Sequence, residues 1–206
     1  MSRLEEIFKY TGTFDSIIDV GCDHGYLGLM ALERTTARVV FSDISQKCLQ
    51  KAISNVGDKY KDRVEFLVCD GVPDRPADVA IIAGMGGRNI LKMCKRPFNI
   101  DRLVLQPMNY IEELREYLYT HFVVETDDII KEGEKFYTVI VIKNEKSNIQ
   151  ISDETKFFGV INGEISDNKR EYLLYKKNKL KNHIAFNHKS MLQLECINRL
   201  LESSKV

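Results

Sequence analysis

Apolar and polar positions change period several times along the chain, and the changes mark its elements. Ser2-x-x-Glu5 has the form of a capping box and opens a short helix that runs to about Tyr10. Ser16-Ile17-Ile18-Asp19-Val20 is a β-branched run ending in Gly21, the pattern of a buried strand. A helical stretch over 26–34 follows, then a strand over 37–42. Ser45 caps a helix that runs to Val56. Strands are predicted over 64–69 and 78–83, and a helix over 87–95 that Pro97 stops. After a strand over 103–106, Asn109-x-x-Glu112 reads as the start of a helix ending near Thr120. Two strands, 123–131 and 135–143, flank Gly133 and form a hairpin. Strands alternating with helices predict a parallel sheet covered on both faces, a doubly wound α/β domain with an antiparallel edge.

The pattern changes after residue 143. Lys143–Ser152 is polar and has no apolar period. From about Asp167 the chain reads as helical, with no glycine or proline. Leu173, Leu180 and Ile184 form one seam, and Met191, Leu194 and Leu201 another, with Asn187-His188 as the turn between them. Two readings remain open: a protruding helical hairpin, or two helices that close the domain. The expected division is 1–143 for an α/β domain and 153–206 for a helical one.

Composition adds a charge contrast. The 206 residues carry 30 basic and 30 acidic side chains, which excludes a uniformly basic nucleic-acid-coating protein. Residues 1–143 hold 19 basic and 22 acidic side chains, so the excess of base lies in the remainder. It peaks over 169–189, where Lys169, Arg170, Lys176, Lys177, Lys179, Lys181 and Lys189 face Glu171 alone. The five cysteines are scattered and never spaced C-x-x-C, which argues against a disulfide framework or a cysteine zinc site. His121, His183 and His188 show no metal spacing either. The apolar runs are strand-sized and no leader-like apolar segment opens the chain, so a cytoplasmic protein is expected, with no membrane partner.

The chemistry gathers at predicted strand ends. Asp19-Val20-Gly21-Cys22-Asp23-His24-Gly25 leaves the first strand and enters a helix. Gly21 and Gly25 permit a close backbone approach there. The spacing is G-x-x-x-G, not the G-x-G-x-x-G of dinucleotide sites. Asp43 ends the second strand, where a carboxylate can accept bonds from both ribose hydroxyls of a nucleoside. Asp70-Gly71 ends the third, where a carboxylate can accept from an adenine amino group. Ile82-Ala83-Gly84-Met85-Gly86-Gly87 ends the fourth and contains no acid, base or nucleophile. Such a loop suits a reaction that depends on positioning.

These motifs resemble the bacterial tRNA (adenine-N1)-methyltransferases that modify adenine 22, within the class I S-adenosylmethionine-dependent methyltransferases. The resemblance is carried by DVGCDHGYL, SDIS, CDG, IAGMGG, LVLQPMN and EKFYTVIVI, in that order, over roughly residues 2–143. It implies a Rossmann-like sheet with an antiparallel terminal hairpin and a C-terminal helical hairpin, S-adenosyl-L-methionine as cofactor and tRNA as partner. It places Asp19, Gly21, Asp23, His24 and Gly25 at the cofactor's methionine end. It gives Asp43 and Ile44 to ribose and adenine, Asp70 and Gly71 to the adenine edge, and Ala83 and Gly84 to the pocket floor. Met85, Gly86 and Gly87 then hold the target base, with Asn109 and Tyr137 as further catalytic-site residues and Phe136 as packing. The chain departs from the family in two places: Cys22 replaces the usual small hydroxyl residue, and Met108 separates Pro107 from Asn109.

The reaction so implied is direct methyl transfer to N1 of an adenine that has left its stack. The product is cationic, and Asp23 or a backbone carbonyl is a candidate acceptor for an N6 proton. The basic stretch 169–189 is the expected tRNA contact, through Lys169, Arg170, Lys176, Lys177, Lys179, Lys181 and Lys189. A monomer is expected. Three alternatives share parts of the pattern: a methyltransferase acting on another RNA base, a nicotinamide-dependent oxidoreductase, and a non-catalytic RNA-binding protein.

Overall fold

The computed structural model describes residues 2–159, 165–182 and 187–203. Seven strands form one sheet in the order β3-β2-β1-β4-β5-β7-β6. The first five are β1 (Ser16–Val20), β2 (Arg38–Asp43), β3 (Val64–Val68), β4 (Ala77–Met85) and β5 (Ile100–Pro107), and they pair in parallel. The last two, β6 (Phe122–Glu132) and β7 (Lys135–Lys146), form a hairpin through which β7 runs antiparallel to β5. The order reverses between β1 and β4, so a crevice opens at the carboxyl ends of those strands.

Helices cover both faces because the strands are apolar on both. Ile17, Val39, Phe41, Val79, Ile81, Val104, Val139 and Val141 point to one side. On that side pack α1 (Arg3–Lys9), α2 (Tyr26–Arg34) and α3 (Gln46–Val56). Ile18, Val20, Ala80, Ile82, Leu103, Leu105, Ile140 and Ile142 point to the other, under α4 (Gly87–Cys94) and α5 (Ile111–His121). The period-2 alternation of near-continuous apolar strands therefore feeds two cores at once. Ser2 and Glu5 form the reciprocal capping box of α1, and the Ser45 hydroxyl accepts the Cys48 amide at 3.3 Å.

The start of α5 differs from the expected Asn109 cap. Tyr110 is its N-cap, in the left-handed region at φ 50° and without a capping side chain. The Asn109 carboxamide is used elsewhere, as an acceptor for the Gly87 amide at 3.1 Å. A tertiary bond has overridden the local one. Two short elements also had no apolar period to reveal them. One is a 3-10 turn over Asp58–Arg63, and the other is α6 (Asp153–Phe158), capped by Ser152.

The C-terminal helices α7 (Asp167–Asn182) and α8 (His188–Ser203) pack on each other and around α6. Phe157, Phe158, Leu173, Cys196, Ile197, Leu200 and Leu201 make a separate small core. Other side chains of the two helices stay exposed: Leu174, Tyr175 and Met191. Met191 is thus not a seam residue, since the buried seam of α8 runs through Cys196, Ile197, Leu200 and Leu201. Ile184 and His183 lie outside the described residues. No helix among the described residues is long and apolar enough to cross a membrane.

A buried ionic cluster joins this unit to the sheet. Arg115 on α5 donates to both Asp127 oxygens on β6, at 2.7 and 2.8 Å. It also donates to the Phe157 carbonyl at 2.8 Å. Tyr119 donates to Asp127 at 3.3 Å. Lys169 of α7 places its ammonium on the carbonyls of Asp127 and Gly159. Lys169 is 2% exposed, which corrects its expected role as a tRNA contact. Burial pushes its pKa down, against the pull of Asp127. Replacing Asp127 with Ala leaves the buried Arg115 without its carboxylate and takes a neighbouring negative charge from Lys169. Urea denaturation of Asp127→Ala is expected to show a loss of about 3–5 kcal/mol; a loss below about 1 kcal/mol would show that the cluster does not hold the two units together.

Candidate active site

Four loops leave the carboxyl ends of β1, β2, β4 and β5, and side chains hold each in shape. Asp19 is 5% exposed and accepts the Gly28 amide at 2.9 Å, which ties the first turn of α2 to β1. Asp43 accepts the Asp23 amide at 3.2 Å through one oxygen and the Ser45 amide at 2.8 Å through the other. Gln106 is fully buried and accepts the Gly84 amide at 3.1 Å. Asn109 holds the Gly87 amide as described. Side chains thus take up several amides beyond the strand ladder, while the Gly21 and Cys22 amides bond to the Ser42 carbonyl.

Two cavities lie along this edge and share Gly21 and Met85. One, of about 310 Å³, is bounded by Asp43, Ile44, Asp70 and Gly71, with Asn89, Lys92, Met93 and Arg96 from α4 and its end. The other, of about 300 Å³, is bounded by Asp19, Asp23, His24, Ala83 and Gly84, with Arg3 and Leu4 from α1. The Met85 methyl lies across Gly21, where a Cβ would come within 1.9 Å of it. Gly21 also sits at φ 67°, so its backbone conformation favours glycine there. Gly87 is fixed differently: a Cβ on it would lie 2.3 Å from the Asn109 carbonyl.

Charge differs between the compartments. Desolvation pushes the Asp19 carboxyl up to about 7, with the Gly28 amide opposing and Asp43 adding to the rise. The Asp23 carboxyl is held below the ordinary range by its bond to Lys51 at 2.7 Å, and His24 stands 3.6 Å away. His24 stacks on Tyr26 with ring centres 5.3 Å apart. Ile44 is 67% exposed, an apolar wall beside two carboxylates. The cleft thus mixes apolar walls with charged side chains, which can fix the orientation of a small molecule.

Residues 1–140 match the protein family described as a methyltransferase domain. The chain belongs to this family. It is 31% identical over 150 residues to a Mycoplasma pneumoniae protein provisionally named a tRNA methyltransferase, covering 68% of this chain and 70% of that one. It is 29% identical over 149 residues to the Bacillus subtilis tRNA (adenine(22)-N(1))-methyltransferase, covering 68% of this chain and 63% of that one. A Streptococcus pneumoniae protein, provisionally described as a tRNA (m1A22) methyltransferase and crystallised with S-adenosyl-L-methionine, superposes with a TM-score of 0.82. It shares 26% identity over 97% of this chain and 98% of its own.

In this methyltransferase most residues expected at the site meet along one edge. Gly21, Asp43, Ile44, Asp70 and Gly71 line the first cavity, and Asp19, Gly21, Asp23, His24, Ala83 and Gly84 the second. Met85 lines both. Gly25 is not on a wall; it caps α2 at φ 70° against Ala52 and Phe41. Gly86 and Gly87 open α4, and Asn109 clamps them. Tyr137 is one step removed, beneath the Arg3 guanidinium at 4.9 Å from its ring centre. Phe136 packs on Tyr172 and Tyr175. Arg3, Leu4 and Lys51 were not foreseen, whereas Gln106 was expected on this edge from the resemblance. Only the capping box hinted that α1 was ordered, and nothing local showed that it would meet the strand ends.

Asp19 also predicts a pH dependence. In the unfolded chain its carboxyl ionises near pH 4, whereas in the fold it keeps its proton to about 7. Between those values the folded state binds more protons, so Asp19 makes stability fall as pH rises. Asp19→Asn is expected to remove this contribution, about 1.4 kcal/mol per pH unit. Urea midpoints of both proteins from pH 4 to 8 check it, and parallel curves would exclude a raised Asp19.

Proposed function

We propose that this protein transfers a methyl group from S-adenosyl-L-methionine to N1 of adenine 22 in tRNA. The observation that carries the reading is the pair of cavities joined at Gly21 and Met85 on the carboxyl edge of a methyltransferase sheet. The names of the aligned relatives support the substrate.

The residues present fit that cofactor. Asp43, Ile44, Asp70 and Gly71 form a compartment with carboxylates for ribose hydroxyls and an adenine amino group, and an apolar wall for the ring. The second compartment offers Asp19 and Asp23 to an ammonium and Arg3 to a carboxylate, the two charges of an amino-acid end. Gly21 and Met85 line both compartments, with the Met85 methyl lying over Gly21. When bound, the cofactor supplies an electrophilic sulfonium methyl.

The rest of the task falls to this chain's own groups. Adenine N1 carries a lone pair, so the transfer needs alignment and exclusion of water more than a base. The Gly84–Gly87 loop is clamped by Gln106 and Asn109 on two sides, which gives the target base a fixed wall. Asn109 thus acts as a positioning residue through Gly87. Asp23 is a poor acceptor for the N6 proton, since its pair with Lys51 lowers its basicity.

Residues 1–143 carry the chemistry in this proposal, and 153–206 contribute to holding tRNA. The linking segment between β7 and α6 is the natural division. Of the basic residues foreseen, Lys179 and Lys181 are exposed on α7 and Lys176 and Lys177 half-exposed. Lys189 is exposed and pairs with Glu112 at 2.6 Å.

Incubation with labelled S-adenosylmethionine and unmodified tRNA, followed by nucleoside mapping, tests the function. The expected product is N1-methyladenine at position 22. Methylation at another nitrogen, or none, would overturn it. Replacing Lys177, Lys179 and Lys181 with Glu is expected to weaken tRNA binding by about tenfold or more and flatten its dependence on salt. Cofactor affinity in the same variant is expected to stay unchanged.

A further inference from the structure

The basic C-terminal stretch is not the only cationic surface. Helix α4 carries Arg88 and Lys92 and is followed by Lys95 and Arg96, with no acid between Gly87 and Pro97. Arg88 and Lys92 stand at i and i+4 of α4 and so share one side, while Arg96, just past the helix end, donates to the Asp70 carbonyl at 2.8 Å. All three are exposed. Lys92 and Arg96 border the nucleoside-sized cavity, so this side faces the site and not the outer sheet.

At the other end of the same row stands Tyr110. It holds a left-handed backbone, φ 50°, which a tyrosine adopts only when its surroundings impose it. Its ring makes no capping bond for α5 and is half exposed. The Arg88 guanidinium lies over that ring at 3.9 Å, and Glu113 holds Arg88 from the side at 3.2 Å. Tyr110 directly follows Asn109, and its own carbonyl abuts Gly87. It also borders a cavity of about 430 Å³ that reaches Lys176 and Lys189 of the C-terminal helices. A strained, exposed aromatic with a cation on its face therefore stands between α4 and the C-terminal helices, next to the Asn109 clamp on the β4–α4 loop and beside the acids Glu112 and Glu113.

We propose that this row is an RNA-binding surface: Tyr110, framed by Arg88, stacks a nucleobase next to the target adenine, and Arg88, Lys92 and Arg96 bind the phosphates of that strand. Stacking on tyrosine tolerates any base, and guanidinium and ammonium groups supply the counter-charge. The surface continues to the C-terminal helices through the cavity that Tyr110 borders. This inference rests on the tRNA reading above and adds a second footprint to it.

Tyr110→Gly separates this role from a structural one. Glycine accepts the left-handed region freely, so the urea midpoint is expected to hold or rise. Affinity for fluorescently labelled tRNA is expected to fall about tenfold, with cofactor affinity by calorimetry unchanged, and Tyr110→Phe is expected to restore tRNA binding. Arg88→Glu and Lys92→Glu are each expected to lower tRNA affinity and reduce its salt slope by about one. Wild-type tRNA affinity in Tyr110→Gly, or an unchanged salt slope in both charge variants, would overturn the proposal. Because binding is read without turnover, a wild-type protein that binds tRNA through this row but methylates another position would refute the assigned reaction and leave the surface standing.

Discussion

Parallel strands end with backbone amides that have no further ladder to join, and the whole site depends on how those amides are satisfied. Asp19, Asp43, Gln106 and Asn109 each accept a backbone amide beyond the end of the ladder, at 2.8 to 3.2 Å. The bonds cross between segments: Asp19 to Gly28, Asp43 to Asp23, Gln106 to Gly84, Asn109 to Gly87. The loop after β2 is thereby tied to the loop after β1, and the segment after β5 to the loop after β4. A cleft built this way needs little rearrangement to receive a ligand, which is where binding energy is otherwise spent. Two of the four groups are acids, and one of them, Asp19, is so deeply buried that its proton is retained to about pH 7.

The glycines complete the same design by removing volume. Gly21 leaves room for Met85, and Gly87 lets the β4–α4 loop press against the carbonyls of Asn109 and Tyr110. Gly159 plays a corresponding part far from the cleft, since a Cβ there would lie 2.1 Å from the Asp127 carboxylate. That contact belongs to the buried Arg115–Asp127–Lys169 cluster, which anchors the C-terminal helices on α5 and β6. The small core of Phe157, Leu173 and Ile197 supplies the apolar half of the same junction. Lys189 and Gln193 of α8 hold Glu112 of α5 as well, while Leu174 and Met191 stay exposed.

Much of this could be read in advance. The strands were legible because apolar β-branched runs such as Ser16–Val20 and Val139–Ile142 are short and bounded by turn residues. The cofactor edge was legible because Asp19, Gly21, Asp43, Asp70 and Gly84 each fall where a predicted strand stops. Harder to see were the pieces defined by contact. Asn109 looked like a helix cap and became a clamp for Gly87. Lys169 looked like one more surface lysine and was buried on two carbonyls. Arg3 and Tyr137, 134 positions apart, meet only because β6 and β7 bring the hairpin back beside α1.

Periodicity and composition alone determined the α/β class, the positions of the strand ends, and the split between a slightly acidic catalytic part and a basic helical part. Those properties are local, since each depends on the order of side chains within about ten residues. The tertiary structure decided which charges stay in water and which are buried, which acid keeps its proton, and which aromatic ring stands exposed at the rim. Such outcomes depend on desolvation and on partners supplied by distant segments. The same lysine is a solvated cation on one face of α7 and a buried donor on another, and only packing distinguishes the two.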